Sequence, residues 1–154
     1  MSNTAVWDAA LSYTAALTTE LDSLAAGSCA VASTAIDNTT ALDTDAWISC
    51  SLPTVPTGTG SPRLDIYLLP LNEDGTTYGD GTVSGAVAPS AAYYVGSITW
   101  DASLASGTQV GSIQIGAGIP PTKFKLAVVN NLGNALAASG NTVSFAPDKI
   151  NLNG

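Results

Sequence analysis

Ala46-Trp47-Ile48-Ser49-Cys50-Ser51-Leu52 sets an apolar residue at every second position, Ala46, Ile48, Cys50 and Leu52, with Trp47, Ser49 and Ser51 between them. Successive side chains of an extended chain point to opposite faces, so this pattern predicts a strand with one face in a core and a mixed face outside. Outward from it, Val, Ile, Thr and Tyr gather in runs between turn signals. They predict strands near 28–37, 45–52, 63–71, 92–100, 109–116, 122–131 and 141–146. Arg63-Leu64-Asp65-Ile66-Tyr67-Leu68-Leu69-Pro70 follows a Pro/Gly/Thr loop over 53–62 and is closed by the turn signal Asn72-Glu73-Asp74-Gly75. Lys123-Phe124-Lys125-Leu126-Ala127-Val128-Val129 runs into Asn130-Asn131-Leu132-Gly133-Asn134, which predicts a tight reversal and a hairpin to the strand at 141–146. No helical pattern separates consecutive strands. The expected fold is therefore all-β, an antiparallel β-sandwich, with jelly-roll winding favoured because such chains hold long excursions, like 72–91, between paired strands.

Composition bounds what this sandwich does. Charged residues make up 10% of the 154-residue chain, against about 25% in an ordinary soluble protein, so small polar residues must cover the surface. A sparsely charged exterior favours association with partners. Four basic residues, Arg63, Lys123, Lys125 and Lys149, stand against twelve acidic ones, for a net charge of -8. That excludes nucleic acid as the expected partner, because its affinity rests on Lys and Arg neutralising phosphates. No apolar run approaches the about 20 residues of a membrane helix, and the N-terminus lacks the basic and apolar regions of a signal peptide, so neither export nor a membrane anchor is expected. Cys29 and Cys50 both fall in predicted strands. A cross-strand disulfide is conceivable there; two reduced core thiols are the expectation.

The N-terminal segment reads differently. Trp7, Leu11, Leu17, Leu21 and Leu24 recur with Ala-rich filling, Asp8 and Gly27 punctuate the two ends, and Thr14, Thr18 and Thr19 weaken a helix in the middle. This predicts an arm over 1–27, partly helical and docking on a neighbour through those five apolar side chains, followed by a sandwich domain over 28–154.

Residues that carry chemistry are sparse. The chain has no histidine, which removes the commonest general base, the usual partner of a nucleophile and the commonest zinc ligand. Neither cysteine has a CxxC partner or a basic neighbour in sequence to activate it. Paired carboxylates could still run glycoside hydrolysis if Asp65, Glu73, Asp74, Asp80 and Asp101 converged, although four of the five lie in or beside turn-like segments, where Asp serves the backbone. Asn72 to Gly81 is rich in oxygen ligands, but its acidic residues fall at the wrong offsets for an EF-hand loop. Gly111, Gly116 and Gly118 lack the Lys and Ser/Thr that complete a phosphate loop. The expectation is a non-enzyme with no metal and no cofactor. Tyr93, Tyr94, Trp100, Trp47 and Tyr67 keep open a sugar-stacking platform, with core or interface packing as the alternative fate.

Several motifs also resemble a known class of proteins. Leu17-Thr18-Thr19-Glu20-Leu21-Asp22-Ser23-Leu24-Ala25 with Ala35-Ile36-Asp37-Asn38-Thr39-Thr40, Asp65 to Pro70 followed by Asp74-Gly75-Thr76-Thr77-Tyr78, and above all Ile119 to Leu126 with Ala137-Ala138-Ser139-Gly140-Asn141-Thr142-Val143 resemble the small proteins that decorate or cement the capsids of tailed double-stranded DNA bacteriophages. The resemblance covers about residues 17–147 and rests on strand and turn motifs. It implies a jelly-roll virion protein, made in the host cytoplasm and bound to the major capsid protein on the capsid exterior, often as a homotrimer, bridging and stabilising the shell. The competing expectation is a carbohydrate-binding module of a virion.

Overall fold

The protein is described by a computed structural model covering residues 4–7, 11–53, 61–101, 108–116, 118–148 and 150–153. Two antiparallel sheets pack face to face as a β-sandwich. Eleven strands appear among the described residues: β1 (Thr4–Trp7), β2 (Thr14–Leu17), β3 (Cys29–Val31), β4 (Ile36–Asp37), β5 (Asp45–Leu52), β6 (Arg63–Pro70), β7 (Tyr94–Thr99), β8 (Gln109–Ile115), β9 (Lys123–Asn131), β10 (Thr142–Asp148) and β11 (Ile150–Asn153). One sheet has the order β2-β10-β5-β8, and the other β3-β9-β6-β7 with β4 also on β9. β1 and β11 form a separate antiparallel ribbon, Thr4 opposite Asn153 and Trp7 opposite Ile150.

The alternation in β5 is realised as expected: Ala46, Ile48, Cys50 and Leu52 are buried and the residues between them are half-buried. They meet Leu64, Ile66 and Leu68 of β6 and Phe124, Leu126 and Val128 of β9 in one core, where Phe124 and Phe145 pack edge to face with ring centroids 5.6 Å apart. β6 and β9 are not amphipathic, because their sheet is covered on both sides. Its outer face carries Cys29, Tyr67, Leu69, Ala127 and Val129, with Tyr78 and Tyr93 laid over them. The excursion 72–91 is thus a cover on its inner side while most of its residues remain exposed outward. Asp74 fastens it by accepting from the Thr76 and Thr77 amides and the Thr77 hydroxyl, and Asp80 by accepting from the Thr82 amide and hydroxyl and the Ser90 amide.

The sandwich is closed along one side by two glycines. A Cβ on Gly96 of β7 would overlap Ile113 of β8, and one on Gly111 of β8 would overlap Ile98 of β7. Only residues without side chains let these edge strands of opposite sheets approach so closely.

Two expectations are corrected. The segment 28–37 is not one strand: it splits into β3 and β4 around Ala32, whose amide donates to the Leu126 carbonyl. The chain after β9 makes no hairpin, since β10 lies in the opposite sheet. Residues 132–141 cross the end of the sandwich because Leu132 and Leu136 are drawn into the core. Asn130, fully buried, holds the crossing in place by donating to the Leu24 and Asn134 carbonyls and accepting from the Leu132 amide.

Within the expected arm over 1–27, the described residues 14–24 pack onto the sheets. Leu17 of β2 and Leu21 of the following 3-10 turn (Thr19–Leu21) are fully buried. The amide of Ser23 donates to the Ala137 carbonyl, and the Leu24 carbonyl accepts from the Leu136 amide. Residues 14–24 therefore belong to the sandwich. The consequence is measurable by thermal melting: removing residues 1–26 abolishes cooperative folding, Leu17→Ala costs about 3 kcal/mol through the cavity it leaves, and Asn130→Ala costs a similar amount, about 3 kcal/mol, by stranding its three backbone partners.

Candidate interaction surfaces

Opposite the closed side, the sheets part. The edge strands there are β2 of one sheet and β4 of the other, and neither has a further strand beyond it among the described residues. Between them runs a groove of about 580 Å³, lined by the half-buried Ile36 and Ala16, with the buried Phe124 and Phe145 beneath. Its rim is acidic, with Glu20, Asp37 and Asp43. Glu20 clasps the two sides together, one carboxylate oxygen accepting from the Thr18 amide and the other from the Ser33 amide, each at 3.0 Å. Partial burial opposes its ionisation, yet the hydrogen bonds from Ser33 and Thr18 outweigh this and hold its carboxyl at about 2. Asp37 also sits below the usual carboxylate range, chiefly through the Thr39 hydroxyl and amide. Its Lys123 neighbour lies 3.5 Å away.

The outer face of the β2-β10-β5-β8 sheet is the second surface. Cross-strand register sets Ser144, Ser49 and Ser112 in one row, Thr142, Ser51 and Val110 in the next, and Ala146, Trp47 and Gln114 in a third. None of the three rows carries a charge. Val110 is 67% exposed at its edge, and Asp45 opposite Asp148 ends the face.

A third surface lies at one end of the other sheet's outer face. Asp65, mostly buried, accepts from Arg63 Nε at 2.9 Å, from the Ser97 hydroxyl at 2.5 Å and from Asn131 Nδ2 at 2.6 Å. Ser97 also hydrogen-bonds the Tyr94 hydroxyl, and the Tyr94 ring, half-exposed, meets Tyr67 edge-on at 5.6 Å. Burial and the nearby Asp65 carboxylate push the Tyr67 phenol up.

Compared with protein-family models and with curated proteins, the chain matches none. The reading of function therefore rests on these surfaces and on the sequence motifs.

The structure scatters the residues that the sequence grouped. Of the five apolar side chains expected to dock on a neighbour, Leu17 and Leu21 are fully buried in this domain's own core. Leu24 is half-buried against that core, Leu11 is exposed, and the side chain of Trp7 lies outside the described part. The carboxylates Asp74 and Asp80 are occupied with their own turns, while Asp65 sits in a separate network. Among the described residues no three Cys, Asp or Glu side chains gather as a metal site. The aromatics also divide: Tyr93 covers the outer-face cluster, Trp100 is buried, Trp47 lies on the flat face, and Tyr94 and Tyr67 share the Asp65 patch. Both cysteines are free and buried, and burial raises Cys29 to about 11, with the Asp80 charge adding to it, and Cys50 to about 12. Neither is a nucleophile at neutral pH.

Glu20 was invisible as a functional residue in the sequence, because Ser33 is thirteen residues away. Its carboxyl ionises more readily in the folded protein than at its ordinary value of 4.5, so the clasp's contribution is complete above that value and fades as pH falls towards about 2. Melting temperature followed from pH 7 to pH 2 checks this. Glu20→Gln is expected to be less stable than the parent at pH 7 and to lose less on acidification.

Proposed function

We propose that this is a structural virion protein that binds the outer surface of a tailed-phage capsid and stabilises it by bridging capsid subunits. The observation that carries the proposal is the uncharged face built from Ser49, Ser51, Trp47, Val110, Ser112, Gln114, Thr142 and Ser144. A sheet face built mostly of Ser and Thr loses little side-chain entropy on contact and has no buried charge to desolvate, which suits close packing on another protein. The motifs resembling capsid decoration proteins supply the partner, the major capsid protein. The strand order supports jelly-roll winding, since β2-β10-β5-β8 facing β3-β9-β6-β7 is an eight-stranded path that changes sheet at nearly every step, an architecture that recurs in viral capsid proteins. Trimeric assembly and a place on the capsid exterior belong to the same proposal. Binding to the assembled shell alone would stabilise it by mass action.

A second reading has its own observation in its favour. Tyr94 beside Arg63, Asp65 and Asn131 joins an exposed ring to fixed polar groups, the combination a sugar ring requires. Jelly rolls also serve as lectins.

Co-sedimentation with expanded phage capsids separates the two. In the capsid reading the protein pellets with the particles, and Val110→Glu with Ser112→Lys weakens binding about tenfold or more without lowering the melting temperature. Unchanged binding by that double variant, or no binding by the parent, would overturn it. Retention on a glycan array that Tyr94→Ala abolishes would establish the sugar reading instead.

A further inference from the structure

Strand edges carry unpaired N–H and C=O groups, and proteins normally cover them. Among the described residues, the two sheets of the sandwich cover most of their edges. β7 and β8 are pressed together across Gly96 and Gly111. The edge of β3 is capped by the excursion, Cys29 and Gly85 exchanging both backbone hydrogen bonds and the Val31 amide donating to the Ser84 hydroxyl. Among the described residues, the sandwich edges with no strand or loop shown against them are β2 and β4, and they flank the acidic groove.

We infer that this groove is a strand-addition site, which takes an extended segment of another protein whose side chains alternate between apolar and basic. An entering strand would pair its backbone with the edge of β2 or β4, as in β-augmentation. Its alternate side chains point to opposite faces. One set would lie on the half-buried Ile36 and Ala16, beneath which the core rings of Phe124 and Phe145 sit, and the other would face Glu20, Asp37 and Asp43. The groove's volume falls in the range of built ligand sites, roughly 300–1,000 Å³. Charge selects the occupant: three carboxylates, Glu20, Asp37 and Asp43, line the groove, against two nearby cations, Lys123 beside Asp37 and Lys125 donating to the Ser33 carbonyl. It also points away from a second copy. The stretch of this chain that alternates basic and apolar residues, Lys123-Phe124-Lys125-Leu126, is the start of β9 and is paired on both sides. The inference does not depend on what the flat face binds.

The test is a titration of the whole isotope-labelled protein with an acetylated, amidated hexapeptide of alternating lysine and valine, followed by amide chemical shifts. Expected are shifts concentrated at residues 14–17 and 36–37, about tenfold weaker binding for the alternating glutamate and valine peptide, and loss of binding when alternate peptide amides are N-methylated. Ala35→Trp, which fills the groove from its half-buried wall, should lose the peptide while its melting temperature and its behaviour with capsids stay as they were. Shifts centred elsewhere, absence of shifts, or equal binding of the acidic peptide would each overturn the inference. So would concentration-dependent shifts of the same amides in the protein alone, because a second copy would then be the occupant.

Discussion

The close approach of β7 and β8 is the constraint on which the rest of the molecule depends. Two sheets that twist cannot stay parallel at every edge. Gly96 and Gly111 draw one pair of edges together until the Ile113 and Ile98 side chains fill the space that Cβ atoms would take. A sandwich pinched along one side opens along the other, and there the groove lies between β2 and β4. The N-terminal segment then stabilises the opening. Leu17 and Leu21 plug the core near the open side, and Glu20 ties the two lips.

Most of the sandwich was legible because strands of one amphipathic period write their burial directly into the chain. β5 is the clearest case, β6 and β9 follow from apolar runs ended by Pro and Asn, and β8 and β10 from shorter alternating segments. What failed was long-range. The spacing of Leu17, Leu21 and Leu24 fits a helix or an arm, and nothing local tells that β2 will pair with β10, more than a hundred residues on. Propensity lost there to tertiary pairing. The reversal after Asn131 departs from a hairpin for a related reason: Asn and Gly announce that the chain turns, but the burial of Leu132 and Leu136 decides which sheet it turns into.

The candidate surfaces were less legible than the fold. The flat face follows from the serines of β5 only once register brings Ser144 and Ser112 beside Ser49. Asp65 was a candidate acid in the sequence, and the structure gives it three donors, Arg63 on its own strand, Ser97 on β7 and Asn131 on β9, so that it braces three neighbouring strands. The turn aspartates Asp74 and Asp80 were the easiest to read, since Asp two residues before Thr is a local device whose partners are close in sequence.

The distribution of charge separates the surfaces in a way that composition alone does not. With so few ionised groups, each cluster is a choice of location. The flat face has none in its three central rows, whereas Glu20, Asp37 and Asp43 share one rim. Uncharged rows can settle on a large protein surface without demanding a matching charge pattern, which gives area but little selectivity. A narrow acidic lip beside strand edges would do the reverse: it would reject acidic chains by repulsion and read a short extended segment by its alternation. A domain that had only the first would adhere broadly, and one that had only the second would hold weakly. With the two on different sides of one sandwich, the proposed face would supply area while the proposed groove would discriminate between partners.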